Sequence, residues 1–221
     1  MTLKPPSYIP VEIISKAPID YEWDAWDPYA PLGKQDEDTM DRLALLSYRA
    51  IIAYSIGCAE WVVYRLSRFF DDQTPYAFLE ACWAFEMDKG FEAPSPLKAA
   101  DWQGPVLGAV DLALVSILNT YYATDEGAPE VEAALGELIA LHVLKDTEPF
   151  IVWRERILER LLQLYRRPVE DSWGRSVPRE ALDPNVQIDG ADQDRLVKAF
   201  LNSLDFKENR FLKYTGGDNS A

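Results

Sequence analysis

The chain has 221 residues, with 37 Asp and Glu against 22 Lys and Arg, and a formal net charge of −15. Hydrophobic residues supply 48% and aromatics 12%, which excludes a disordered chain of the low-hydropathy, high-charge kind and provides material for a sizeable core. Such an acidic chain repels phosphate backbones and anionic headgroups, so no direct binding to nucleic acid or membrane is expected, whereas a basic protein partner would be steered in.

Residues 1–35 carry Pro5, Pro6, Pro10, Pro18, Pro28 and Pro31. That spacing prevents a long helix and predicts an extended arm with turns. The opening Met1-Thr2-Leu3-Lys4-Pro5-Pro6 lacks the apolar core of a secretory signal, so a cytoplasmic location is expected. Val11–Ile14 has the composition of a short edge strand. Further on, Tyr21-Glu22-Trp23-Asp24-Ala25-Trp26-Asp27-Pro28-Tyr29 alternates aromatic and acidic groups. Aromatics make binding hot spots and carboxylates engage Lys or Arg on a partner. Tyr21, Glu22, Trp23, Asp24, Trp26 and Asp27 are therefore the candidate partner-binding residues, in a strip able to imitate the stacked bases and phosphates that a nuclease expects. The competing expectation is that these Trp side chains pack onto the chain's own helices.

Asp36, Glu37, Asp38 and Thr39 place acids and a cap at the start of a long helical segment. Apolar residues recur around most of its circumference from Met40 to Phe70, so it should be central, with Arg42, Arg49 and Glu60 on one narrow polar stripe. Thr74-Pro75 predicts a cap and first turn for a helix through Leu79, Cys82 and Trp83 that ends before Gly90. Residues 105–123 are apolar enough to raise the question of a membrane span. Asp111 and Asn119 interrupt them and acids flank them with no basic anchor, which points to a buried core helix. Asp111 is the sole charge of that helix and shares a face with Gly104 and Gly108. The expectations for it are an exposed side chain, a partner of an Arg on the central helix, or a carboxyl of raised pKa.

Further helices are predicted at 129–145, at 149–167 and at 192–204. The second of these sets Ile157, Leu158, Leu161, Leu162 and Tyr165 opposite a polar face, and carries Arg154, Arg156, Arg160, Arg166 and Arg167 for pairing with the acidic remainder. Acids from Asp183 to Asp192 faintly suggest a calcium loop. With no Gly at its sixth place and no Glu at its twelfth, a polar loop leading into a helix is the better reading. The whole predicts an all-α protein: a single helical domain over 36–214, an N-terminal arm over 1–35 and a flexible tail over 215–221.

Catalytic patterns are sparse. The single histidine, His142, is expected to be a helix-face residue with a local hydrogen bond, because no Glu-x-x-His or His-x-x-x-His spacing surrounds it. Phosphate-binding, dinucleotide and nucleophile-elbow sequences do not occur. Cys58 and Cys82 lie in apolar helical patterns and are expected in the core, unpaired. No catalytic residue, metal or cofactor is predicted, and binding rather than catalysis is the expected function. A carboxylate-held Mg²⁺ hydrolase or transferase is the alternative from another class, and an adaptor or chaperone for a secreted protein is a third.

Residues 56–84 run from Ile56-Gly57-Cys58-Ala59-Glu60-Trp61 through Phe69-Phe70-Asp71-Asp72 to Ala81-Cys82-Trp83-Ala84. This segment resembles the helical pair of acidic bacterial immunity proteins encoded beside toxins of type VI secretion systems, nuclease-like toxins among them. The resemblance implies a cytoplasmic antitoxin that binds and inhibits a cognate protein toxin with a basic surface. It supplies no binding residues, because the segment has the pattern of core rather than interface.

Overall fold

The computed structural model describes residues 3–97 and 102–216, and among them every named element is helical. The helices are α1 (Val11–Ile14), α2 (Glu37–Ala44), α3 (Tyr48–Leu66), α4 (Thr74–Met87), α5 (Ala109–Tyr122), α6 (Pro129–Val143), α7 (Glu148–Leu164) and α8 (Gly190–Ser203). A π-turn at Gly104–Gly108 leads into α5, and 3-10 turns occupy Ser67–Phe69 and Arg179–Leu182. Extended pairing among the described residues is limited to two isolated bridges, Leu46 with Arg166 and Phe91 with Tyr214. The chain is all-α.

The expected long helix from Met40 to Phe70 is two helices. Its apolar pattern runs unbroken through Leu45 and Leu46, but Ser47 takes an extended conformation and its side chain accepts the Ala50 N–H as the cap of α3. Polar groups of the break are satisfied from the far end of α7: Ser47 N–H donates to Tyr165 O, Arg167 N–H to Leu45 O, and Arg167 Nε to Leu46 O. α2 has its own cap in Asp36, which accepts from the backbone and hydroxyl of Thr39. Those hydrogen bonds hold the Asp36 carboxyl below the usual range.

Every residue from Ala50 to Leu66 is buried, which makes α3 the axis of the fold. α5 and α6 pack on it and on each other, α4 covers another side, and α8 packs against α4. α7 approaches through Gly57: a Cβ there would lie 2.7 Å from Leu182 and 3.0 Å from the Trp153 ring, so only glycine admits this contact. Trp153 is then stacked between Tyr8 and Tyr54, at ring-centre distances of 5.4 and 5.9 Å, and donates its indole N–H to Leu182 O.

The polar stripe expected on the central helix is split: Arg42 and Arg49 are partly exposed and only Glu60 is enclosed. Arg42 belongs to α2 and bonds Glu155, whereas Glu60 is wholly buried. One Glu60 oxygen accepts from Trp83 Nε1 and Arg179 Nε, and the other accepts from Tyr8 OH. A second interior network joins Tyr54 and Arg154 to Glu137, and Arg154 onward to Glu155. Buried carboxylates are retained here because each oxygen meets donors. Of the Arg-rich stretch, Arg154, Arg160 and Arg167 all bond groups of the chain itself.

Val11–Ile14 is a helical turn rather than a strand. Ile13 and Ile14 donate to the Pro10 carbonyl, and Ile14 is buried while Ile13 points outward. Gly104–Tyr122 has the length and hydropathy of a membrane span, and more than half of it is buried within the bundle. The acids from Asp183 to Asp192 cap local turns: Asp183 accepts from Asn185 N–H and Asp189 from Asp192 N–H at the start of α8. Cys58 and Cys82 are free and buried, and burial pushes both thiols up. Of the expected tail, Thr215 donates to Gly90 O, and 217–221 lie outside the described residues.

Candidate partner-binding site

The Pro-rich residues 3–35 divide into two parts. Leu3, Tyr8, Ile9 and Ile14 belong to the core, and Tyr64 OH donates to Leu3 O. From Asp20 onward the chain lies on the surface formed by α6 and the start of α5. Its first fastenings are an Arg65 Nη2 bond to Pro18 O at 2.7 Å and an Asp20–Lys145 ion pair at 2.7 Å. The Lys145 hydrogen bond holds the Asp20 carboxyl below its ordinary value.

Tyr21 and His142 meet edge to face, with ring centres 5.3 Å apart. His142 Nε2 lies 2.7 Å from the Glu22 carbonyl oxygen, so this nitrogen carries the proton and donates. The histidine therefore bonds a distant segment, not a neighbour on its own helix as expected from the sequence. Tyr21 OH donates to Pro105 O, and burial pushes this phenol up to about 12.

The two tryptophans of the strip have opposite fates. Trp23 packs its six-membered ring on Gly108, where an added Cβ would come within 2.5 Å of Cζ2. That contact follows from the glycine pair on the outer face of the α5 entrance. Trp26 is 97% exposed. Between them the backbone is held by Asp24, whose Oδ1 accepts the N–H groups of Trp26 and Asp27 at 2.8 and 3.2 Å. Asp27 Oδ1 in turn accepts from Tyr29 N–H, and Ala30 N–H closes onto Asp27 O. Glu22, Asp24 and Asp27 are exposed. The strip is thus an ordered turn in which two of the three acids shape the backbone, as well as charging the surface.

Beside this turn lies a cavity of about 520 Å³. Trp23, Trp26 and Trp102 contribute aromatic walls, Ala25, Pro28, Leu112 and Val115 aliphatic ones, and Gln103, Gly104, Gly108 and Asp111 complete the lining. Asp111 is half-buried and its Oδ1 accepts no hydrogen bond, while burial raises its carboxyl above the ordinary range. No Arg pairs with it among the described residues; it is partly exposed, in keeping with the expectation of a modestly exposed side chain. Burial first, then the charges of Glu132 and Asp111, push the nearby Tyr29 phenol up. Trp102 was not legible as part of this site, because it enters from a loop with no periodic pattern. Asp111 carried a signal, as a lone charge on an apolar helix next to two glycines. Among the described residues no group of three His, Cys, Asp or Glu side chains is arranged to hold a metal.

Residues 56–84 form the C-terminal part of α3, the 3-10 turn and most of α4, where Trp61 and Trp83 are fully buried. Family models, curated proteins and solved structures were each compared with the chain, and none matches.

Proposed function

We propose that this chain is an inhibitory binding protein of the immunity type: a cytoplasmic antitoxin that captures a cognate effector toxin with a basic surface through the Asp20–Pro31 turn. The observation that supports it most directly is the placement of Trp26. A large aromatic side chain that is 97% exposed gains nothing for its own fold, yet it stands on a backbone fixed by Asp24 and flanked by three acids. An ordered, unburied aromatic surrounded by charge is what a binding hot spot looks like before its partner arrives, since little ordering entropy remains to be lost. The net charge of −15 adds long-range attraction for a basic surface.

The test is growth rescue. A protein that co-purifies with this chain from its native host should arrest growth when expressed alone, and co-expression of the chain should restore growth. Trp26→Ala should weaken the rescue without changing the chain's own thermal stability. Rescue unaffected by Trp26→Ala, Trp23→Ala and Glu22→Lys together would place recognition elsewhere on the helices. Binding without neutralisation would support the adaptor reading instead.

A further inference from the structure

We infer that the cavity between the strip and α5 is a receptor for a single arginine side chain presented by the partner protein, stacked among Trp23, Trp26 and Trp102 with Asp111 at its base. This rests on the partner-binding reading of the same surface and specifies what the partner inserts there.

The chemistry of the lining selects the ligand. Three indoles line the cavity, and an indole face attracts a cation and suits a flat one above all. A guanidinium is planar, weakly hydrated and able to stack on an indole while its edge donates to a carboxylate. An ammonium is more strongly hydrated and has no face to stack. Asp111 supplies the acceptor: Oδ1 is buried with no donor in the chain, a condition that costs free energy until a partner fills it. An uncharged apolar side chain would fill the aromatic part of the cavity and leave that oxygen unsatisfied. An anion would meet Asp111 as well as the field of the exposed carboxylates of Glu22, Asp24 and Asp27 on the same strip. The volume of about 520 Å³ takes an arginine side chain with room for water. Trp23 is held against Gly108, whereas Trp26 is 97% exposed.

The experiment is a titration of the full chain with N-acetyl-arginine amide, followed through the indole N–H resonances, with the uncharged isostere N-acetyl-citrulline amide as the comparison. Saturable shifts confined to the indoles of Trp23, Trp26 and Trp102 are expected with the arginine compound. Affinity should be at least ten-fold weaker with citrulline. Asp111→Asn keeps the shape of the cavity and should weaken arginine binding to a similar degree. Trp26→Ala, at a position that cannot disturb the fold, should weaken it several-fold. The inference is overturned by the absence of saturable shifts, by equal binding of the two compounds, or by arginine binding that Asp111→Asn leaves unchanged. Toxin neutralisation is not read in this titration. A negative result removes the arginine receptor while leaving growth rescue to judge the antitoxin reading, and a positive titration in a chain that rescues nothing would do the reverse.

Discussion

The two halves of the N-terminal segment have the same proline-rich make-up and opposite roles. Residues 3–19 are woven into the bundle: Tyr8 reaches Glu60 inside it, and Leu3 and Pro18 offer their carbonyls to Tyr64 and Arg65. Residues 20–31 lie against the outside, tied down by His142, Lys145 and a turn of their own making. Proline content decides only that neither half becomes a long helix. What separates them is the kind of side chain between the prolines. Leu, Tyr and Ile find apolar holes, whereas acids alternating with Trp keep one side wet.

The largest effect should come from breaking the inner half's polar anchor. Glu60→Ala would strand Arg179, Tyr8 and Trp83 inside the core, with an expected loss of about 3–5 kcal/mol of stability in urea unfolding. A loss under about 1 kcal/mol would mean that residues 3–19 are not integral to the fold.

Glu86 sharpens the same contrast, because it is a buried carboxyl with only half its partners. Oε1 accepts from Val177 N–H, Oε2 from nothing, and burial raises this group to about 8. The folded state then holds a proton up to about pH 8, whereas an unfolded chain releases it near the ordinary value of 4.5. The unfolded state binds fewer protons in that window, so this group makes stability fall as pH rises through it, by at most about 1.4 kcal/mol per unit. Glu86→Gln keeps the bond to Val177 and removes the titration. Its stability advantage over the parent should grow from pH 5 to pH 8. A constant difference across that range would show that Glu86 is not protonated in the fold.

Trp23 and Trp26 separate packing from recognition within the outer half. Trp23→Ala removes the ring that rests on Gly108 and should cost about 2 kcal/mol of stability, less than the roughly 3–5 kcal/mol of a fully buried large aromatic because the site is only partly enclosed. Trp26→Ala should leave unfolding within about 0.5 kcal/mol of the parent. Its cost, about 2 kcal/mol for a true hot spot, should appear only in partner dissociation. Equal stability losses at both positions would mean that the two tryptophans pack alike.

Helix class and core membership were readable because apolar periodicity acts locally; the Thr74 cap was misplaced by one residue, since Thr74 is the first residue of α4 and Gln73 precedes it without a side-chain cap bond. The break at Leu45 to Ser47 was not readable, since what ends α2 is a set of hydrogen bonds from residues 165–167, more than a hundred positions away. Glu60 was legible only as part of a polar stripe, not as the hub of a buried network, for a related reason. Its sequence neighbours cannot announce that Tyr8 and Arg179 will meet it. The acidic aromatic strip was visible as composition, but which Trp packs and which stays exposed depended on Gly108. The cavity needed Trp102 and Asp111 from separate segments, and no spacing rule links them to the strip.

The smallest effects concern the fastening and charge of the outer half, and they have to be tested in a particular way. His142→Asn removes the bond to the Glu22 carbonyl and the edge contact with Tyr21, and should cost about 1 kcal/mol while loosening the strip. For charge, reversing all three acids would confuse two roles. Asp24 and Asp27 accept backbone N–H groups that shape the turn, so a lysine at either place would unmake it. Asp24→Asn and Asp27→Asn retain an acceptor oxygen and remove only the charge, and Glu22→Lys is free of this difficulty because the structure uses only its carbonyl. Combined, the three changes should slow association with a basic partner several-fold at low salt and flatten its salt dependence, since steering is screened over about 8–10 Å at moderate ionic strength. Dissociation should stay nearly constant, because the Trp26 contact is untouched. A faster off-rate with an unchanged on-rate would show that these carboxylates act by direct contact inside the interface, and that their value lies in the bonds they make there.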